Sequence, residues 1–380
     1  MTFRTEASEV DWLAIDVATP ALLLDLDTLD RNLDEMAAIS QEAGVSLLPH
    51  AKTHRIGELG IRQVQRGASG LTVATVAEAE GFAAAGVDSI FIANPAADEN
   101  KFHRCLQLTA GCDLTLAFDT FAGAEALAHF FASRGATIKV MMAIDSGLRR
   151  EGVAPAAAPD LAERVAQLDG IDLVGIYTHE GTVYEARDAA DVERRSRLVA
   201  QEMVATAERI RQLGIDLPIV SMGASASARV CATVPGVTPI RPGIYAFNDA
   251  GQVALGNASP ETVAVRVIAT VTGHPEPGRA YIDGGSKALS ADLLPAAALR
   301  DRYPGHGIIV NAPGWVIERV SEEHGWLRWY GDGEPQPLPV GTRLEIIPNH
   351  VCMAFAMLRR AQVVRAGEVQ GQWEIFGAGS

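Results

Sequence analysis

The sequence predicts an α/β chain: a (β/α)8 TIM-type barrel over residues 20–255, followed by a β-rich C-terminal domain. Three observations carry this expectation. Between about residues 20 and 255, short β-type runs alternate with longer helical patterns, and eight strands each followed by a helix or loop fit a closed barrel of the usual ~250-residue size. After about residue 256 helical periodicity gives way to short strands separated by Gly and Pro. No Gly-x-Gly-x-x-Gly follows the first strand, which weakens the rival reading of an open doubly wound sheet holding a dinucleotide.

Taken in order, Ala21 to Leu26 is apolar and extended, and Thr28 to Ala43 places Leu29, Leu33, Met36 and Ile39 at helical spacing. Barrel strands are expected to begin near Val45, Leu71, Ser89, Leu114, Ile138, Leu173, Leu217 and Val237. Helical stretches lie between them, among them Val76 to Ala85, Phe121 to Ser133 and Asp188 to Leu213. In the second domain, Thr262 to Thr272 alternates, and Tyr281, Ile308 to Val310, Val316 to Val320, Leu344 to Ile347 and Ala361 to Val364 read as strands.

Composition excludes several classes of function. With 380 residues, 48% hydrophobic content and a mean hydropathy of +0.11, the chain reads as globular. The N-terminus has no basic head before an apolar core, and no long uninterrupted apolar window occurs, so neither secretion nor a membrane span is expected. Cys105, Cys112, Cys231 and Cys352 lack disulfide-framework spacing, which suits a reducing cytoplasm. A net charge of -15 argues against nucleic-acid binding, since phosphate contacts need a basic surface.

Chemistry concentrates at Leu47-Leu48-Pro49-His50-Ala51-Lys52-Thr53-His54. The chain has only four lysines, Lys52, Lys101, Lys139 and Lys287, and Lys52 alone follows an apolar strand and precedes a helix. An amine held there can be partly desolvated, as Schiff-base chemistry requires. The other barrel strands end in Asp145 to Arg150, Tyr177-Thr178-His179, Ser221-Met222-Gly223-Ala224-Ser225 and Arg241-Pro242-Gly243-Ile244-Tyr245, which converge on the functional mouth of a barrel. The Ser221–Ser225 loop, just before a helical start at about Ala226, lets backbone N–H groups and a helix N-terminus meet a phosphate. His179 is placed to stack on an aromatic cofactor.

These residues resemble the fold-type III pyridoxal-phosphate enzymes, and within them the D-serine dehydratase and D-threonine aldolase group. The resemblance runs from Thr19-Pro20 to the C-terminus. It is carried by Pro49 to His54, Asp145-x-Gly147-x-x-Arg150-x-Gly152-Val153, Tyr177-x-His179-x-Gly181, Glu323-His324-Gly325 and Pro348-Asn349-His350-Val351-Cys352. It implies that Lys52 carries pyridoxal phosphate, with His50 beside it. Arg150 or Tyr177 would face the pyridine nitrogen, and His179 would stack on the ring. Ser221, Gly223, Ala224, Ser225, Gly243 and Tyr245 would hold the phosphate. It also groups residues 1–19 with the β-domain of 256–380, and implies a homodimer whose active site is shared between subunits.

His350 and Cys352 stand two apart in a stretch that reads as extended, which would point both side chains to one face. Imidazole and thiolate favour zinc, with manganese and magnesium as alternatives. In the family, His-x-Cys goes with zinc-dependent dehydratases, whereas the aldolases carry His-x-Asp. The resemblance therefore implies elimination from a β-hydroxy D-amino acid, of D-serine or D-3-hydroxyaspartate type, to a 2-oxo acid and ammonia. Retro-aldol cleavage to glycine and an aldehyde is the alternative. An amino-acid racemase and a non-enzymatic cofactor carrier are the further rivals, and a β-domain argues against the carrier. Two departures, the glycine-poor loop Gly223-Ala224-Ser225 and Arg55 in place of a lysine, leave room for a different substrate.

Overall fold

In the computed structural model, which describes residues 10–377, the chain divides into two compact units. One comprises residues 34–243 with 376–380, and the other residues 1–33 with 244–375. Of the N-terminal stretch grouped with the β-domain, residues 1–9 lie outside the described part.

The first strand, Ala21–Asp25 (β1), belongs to the second unit. The first unit holds eight parallel strands: Ser46–Leu47 (β2), Leu71–Val73 (β3), Ser89–Ile92 (β4), Asp113–Phe118 (β5), Ile138–Ala143 (β6), Ile171–Thr178 (β7), Ile219–Met222 (β8) and Pro239–Ile240 (β9). Their order is β2-β9-β8-β7-β6-β5-β4-β3, and a parallel bridge between His50 and Thr72 joins the two ends of that order. This is the predicted TIM-like barrel. β3 is buried throughout and β4 and β6 nearly so, as expected of parallel strands covered on both faces. The helices between them start at side-chain caps: Thr75, Asp98, Thr120 and Asp188 each accept the N–H three residues on. Inside the barrel, Phe91, Ala117, Met141, Ala143 and Tyr177 form one apolar cluster. Cys105 is fully buried in the helix Glu99–Leu108.

The second unit is mostly sheet, as expected. Its strands are Val265–Glu276 (β10), Arg279–Ile282 (β11), Ile308–Ile309 (β12), Trp315–Val320 (β13), Gly325–Trp329 (β14), Arg343–Ile347 (β15), Arg360–Arg365 (β16) and Glu368–Glu374 (β17). β1 runs antiparallel to β10, with Ala21 opposite Ile268, and parallel to β16, with Leu23 opposite Gln362. The reading that placed residues from 20 onward in the barrel stretch is thus corrected for this strand. All five of its residues are buried, and an unbroken apolar run does not reveal which sheet it joins. β14 and β17 were not anticipated; β17 is largely exposed and built from Glu, Gln and Gly, so it lacks the alternation that marks a strand.

Candidate active site

Lys52 sits on a single 3-10 turn, Ala51–Thr53, just past β2, with its side chain exposed. The backbone entering that turn is the seam that closes the barrel. The His50 N–H donates to Pro242 O at 3.0 Å, the Thr72 N–H to Pro49 O at 2.8 Å, and Thr72 Oγ1 to Leu48 O at 2.9 Å. On the far side, His54 is buried; its Nδ1 accepts the Ile56 N–H at 3.1 Å, which leaves Nε2 to donate to Gln63 Oε1 at 3.2 Å.

The other loops meet this turn. Buried Arg241 donates from Nε to Ser221 Oγ at 2.7 Å and from Nη2 to Thr178 O at 2.6 Å. Its guanidinium carbon lies 5.3 Å from the Tyr177 ring centre and 5.5 Å from that of Phe91, a cation–π arrangement. His179 Nδ1 donates to Gly223 O at 2.8 Å. The Gly243 N–H donates to Ser225 Oγ at 2.9 Å, and the Ala224 carbonyl accepts Ser227 Oγ at 3.2 Å. A Cβ on Gly243 would lie 2.6 Å from Thr53 Oγ1 and 2.8 Å from His50 O, and one on Gly223 would run into the Arg241 guanidinium. Both positions require glycine for close approach. The helix after the loop is one turn, Ala228–Cys231, so the helix N-terminus expected near Ala226 is reduced to loop N–H groups.

Of the two candidates for the pyridine nitrogen, Tyr177 has its hydroxyl donated to Ala93 O at 2.6 Å and its ring packed edge-on against Phe91, with burial holding its pKa above the ordinary tyrosine value. Arg150 lines a small cavity with Ser146, Tyr177 and His179 and pairs with Glu151 at 2.6 Å.

Charge at this mouth is arranged for an anion. Burial, reinforced by Lys52, Arg150 and Arg241, brings the His179 pKa down to about 4, and burial with Lys52, Arg241 and His179 nearby holds His50 well below its ordinary value. The histidines are therefore neutral beside three cations. His50 Nδ1 is buried with no hydrogen-bond partner among the described residues. That orphaned atom, the two glycine approaches and the cation cluster fit a dianionic pyridoxal phosphate.

Three supporting groups escaped the sequence reading. Buried Glu180 accepts the Gly223 N–H at 2.8 Å and Ser227 Oγ at 2.7 Å, which ties the expected phosphate loop to β7; burial raises its pKa. Arg241 was noted only within its loop, though an arginine just past a barrel strand is a visible signal. Phe376 gave none: its N–H donates to Arg55 O at 3.0 Å, and its ring stands edge-on to Phe82 at 4.9 Å, which stands edge-on to His54 at 5.7 Å.

Tyr245, His350 and Cys352 belong to the second unit. Tyr245 is buried in the turn Ile244–Ala246. The extended reading of His350-x-Cys352 is corrected: His350 is the N-cap of the helix Val351–Leu358, and Cys352 lies in its first turn. The pair still converges, because the cap residue and the second helical residue project over the same end. His350 Nδ1 lies 2.8 Å from Asp292 Oδ2, and its ring is hydrogen-bonded to the Cys352 thiol. Burial opposes a charge on His350, but the bond to Cys352, the thiolate and the carboxylates of Asp249 and Asp292 outweigh it and raise the pKa to about 10. Cys352 is half-buried and forms no disulfide. Among the described residues no group of three or more His, Cys, Asp or Glu side chains converges as a ready-made metal cage. A nitrogen and a sulfur donor in a setting that favours positive charge nevertheless fit a divalent metal with open positions.

Residues 24–250 match the family described as alanine racemase, N-terminal domain, and residues 264–364 the putative serine dehydratase domain. The chain is 36% identical to the D-threo-3-hydroxyaspartate dehydratase of Delftia sp. (strain HT23), over 94% of this chain and 96% of that protein. It is 30% identical to the D-threonine aldolase of Arthrobacter sp., over 96% and 93%. A solved structure of D-threo-3-hydroxyaspartate dehydratase, a cysteine-to-alanine mutant in the metal-free form, superposes with a TM-score of 0.87 at 34% identity, covering 96% of this chain and 98% of that one. With a racemase-type barrel, a serine dehydratase-type domain and a lysine on the turn after the first barrel strand, the chain belongs to the fold-type III pyridoxal-phosphate enzymes, in the lyase family of the D-serine dehydratases and D-threonine aldolases.

Proposed function

We propose that this enzyme eliminates water from a β-hydroxy D-amino acid of the 3-hydroxyaspartate or serine type, releasing a 2-oxo acid and ammonia, with a divalent metal, zinc by preference over manganese or magnesium. The observation that carries this is the His350–Cys352 pair in a chain matched almost end to end by a dehydratase. The metal-free form of the relative's cysteine mutant supports a metal in that family.

Pyridoxal phosphate supplies the electron sink for charge developing at the substrate Cα. Lys52 Nζ would hold the cofactor and would serve as the base for the Cα proton. Arg150, on the cavity wall, is the better placed partner for the pyridine nitrogen, since the Tyr177 hydroxyl is engaged with Ala93. A neutral His179, fixed by its bond to Gly223 O, would offer its flat face to the ring. Ser221, Gly223, Ala224, Ser225 and Gly243 hold the phosphate, and Tyr245 joins them by resemblance. His350 and Cys352 would hold the metal, which would supply a Lewis acid for the β-hydroxyl.

Retro-aldol cleavage is the second reading, favoured by the aldolase match. Product analysis separates the two. The enzyme loaded with pyridoxal phosphate and zinc is given D-serine, D-threonine and D-3-hydroxyaspartate, before and after chelation. We expect 2-oxo acid with ammonia, lost on chelation; glycine with aldehyde would reverse the assignment. Four cysteines outside any disulfide suit a reducing cytoplasm. No helix among the described residues is long and apolar enough to cross a membrane.

A further inference from the structure

Asp292 lies in the loop between the short helices Ser286–Leu289 and Ala297–Arg302, far in sequence from His350, and no sequence motif drew attention to it. Its backbone is pinned on both sides. The Asp292 N–H donates to Ser290 Oγ at 2.9 Å, and its carbonyl accepts Asn349 Nδ2 at 3.0 Å, while the same Asn349 amide donates to Gly305 O at 2.8 Å. His306 is also hydrogen-bonded to the Asp292 backbone. The residue that anchors the loop, Asn349, immediately precedes His350, so the loop and the histidine are referenced to each other through one side chain. The outcome is a carboxylate oxygen 2.8 Å from His350 Nδ1.

A carboxylate can only accept at that distance unless it is protonated, so Nδ1 carries a hydrogen in either charge state of the ring, and Nε2 is the nitrogen left to bind a metal once it gives up its own proton. We propose that Asp292 is a positioning residue for the metal centre, fixing the tautomer and ring plane of His350 so that Nε2 and the Cys352 thiolate bind one divalent ion. This rests on the reading of His350 and Cys352 as metal ligands. A plain surface ion pair is the competing role, since both side chains are nearly half exposed, at 40% and 47%, and such pairs add little to stability. The two roles differ in what they move: an ion pair acts on the melting temperature, an orienting partner on the metal.

The test measures zinc affinity by competition with a chromophoric chelator on the cofactor-loaded enzyme, for the parent protein and for Asp292→Asn, Asp292→Ala and His350→Ala. Melting temperatures and the visible spectrum of the cobalt-substituted proteins are recorded alongside. The expected result is one zinc per parent chain and none on His350→Ala. Asp292→Asn and Asp292→Ala should bind zinc roughly 10–100-fold more weakly, the usual effect of losing such a partner, at nearly unchanged melting temperature. In the cobalt proteins, ligand-field bands should shift while the thiolate charge-transfer band persists. Zinc affinity within twofold of the parent in both Asp292 variants overturns the positioning role while leaving the ligands in place. Failure of the parent to bind zinc, or full binding by His350→Ala, overturns the ligand assignment itself and the inference with it. Asp292→Asn is close to isosteric, so it carries the test if the alanine variant folds poorly.

Discussion

At the scale of single residues, the site works by keeping histidines uncharged next to cations. His50 and His179 lie in the field of Lys52 and Arg241, and burial leaves neither with the solvation a second positive charge would need. What remains is a compact positive patch made by lysine and arginine, with the imidazoles free to act as flat, neutral surfaces. Lys52 is the lysine on the turn at this patch, while Lys139 pairs with Asp113 at 2.8 Å, Lys287 with Glu323 at 2.5 Å and Lys101 with Asp98 at 3.2 Å. Lys52→Ala is therefore expected to remove the visible-edge absorbance of the bound cofactor altogether. A spectrum that keeps the band would show that a different lysine carries the group.

At the scale of elements, the lysine turn is held by pieces that are remote along the chain. β3 supplies Thr72, the segment after β9 supplies Pro242 and Gly243, and Phe376 from the end of the chain seats against Phe82 and Arg55. Phe376→Ala removes a half-buried ring, and a loss of about 1–2 kcal/mol is expected, below the 3–5 kcal/mol of a fully buried Phe. The same variant should release cofactor faster on dialysis, followed through the decay of the visible band, and Phe376→Leu should restore most of the retention. Equal retention in all three proteins would dissociate the end of the chain from the lysine turn. The periodic elements were legible in the sequence. All eight barrel strands begin within two residues of the expected positions, and the helices Val76–Ala84 and Phe121–Ala132 end one residue short of the expectation. Lys52, His179 and the loop from Ser221 were legible because barrel topology puts strand ends to use. The backing groups were not. Glu180 follows a histidine that draws the attention, Phe376 matters only through a tertiary contact, and a cap residue followed by a helix spells His-x-Cys just as a strand does.

At the scale of the whole molecule, the proposed cofactor residues of the barrel and the proposed metal pair belong to separate units, and the family resemblance implies an active site completed by a second subunit. Light scattering on the holoenzyme is expected to return twice the 40.3 kDa chain mass. A monomer that retains full turnover would remove the shared site from the proposal. The same residues 24–250 that match the racemase family accommodate lyase relatives, so the barrel alone does not decide the reaction.

The pairing of β1 with β10 and β16 also sets an order of events during synthesis. Ala21 leaves the ribosome early, but its antiparallel neighbour Ile268 and the parallel neighbours around Gln362 are made only after the entire barrel stretch. At ordinary translation speeds the first strand, apolar from Ala21 to Leu24, waits on the order of tens of seconds for its sheet. The barrel strands can meanwhile assemble in sequence, yet the turn bearing Lys52 receives the brace of Phe376 only after every barrel strand has been made. The fully braced form of the Lys52 turn therefore comes later than the barrel strands that carry it.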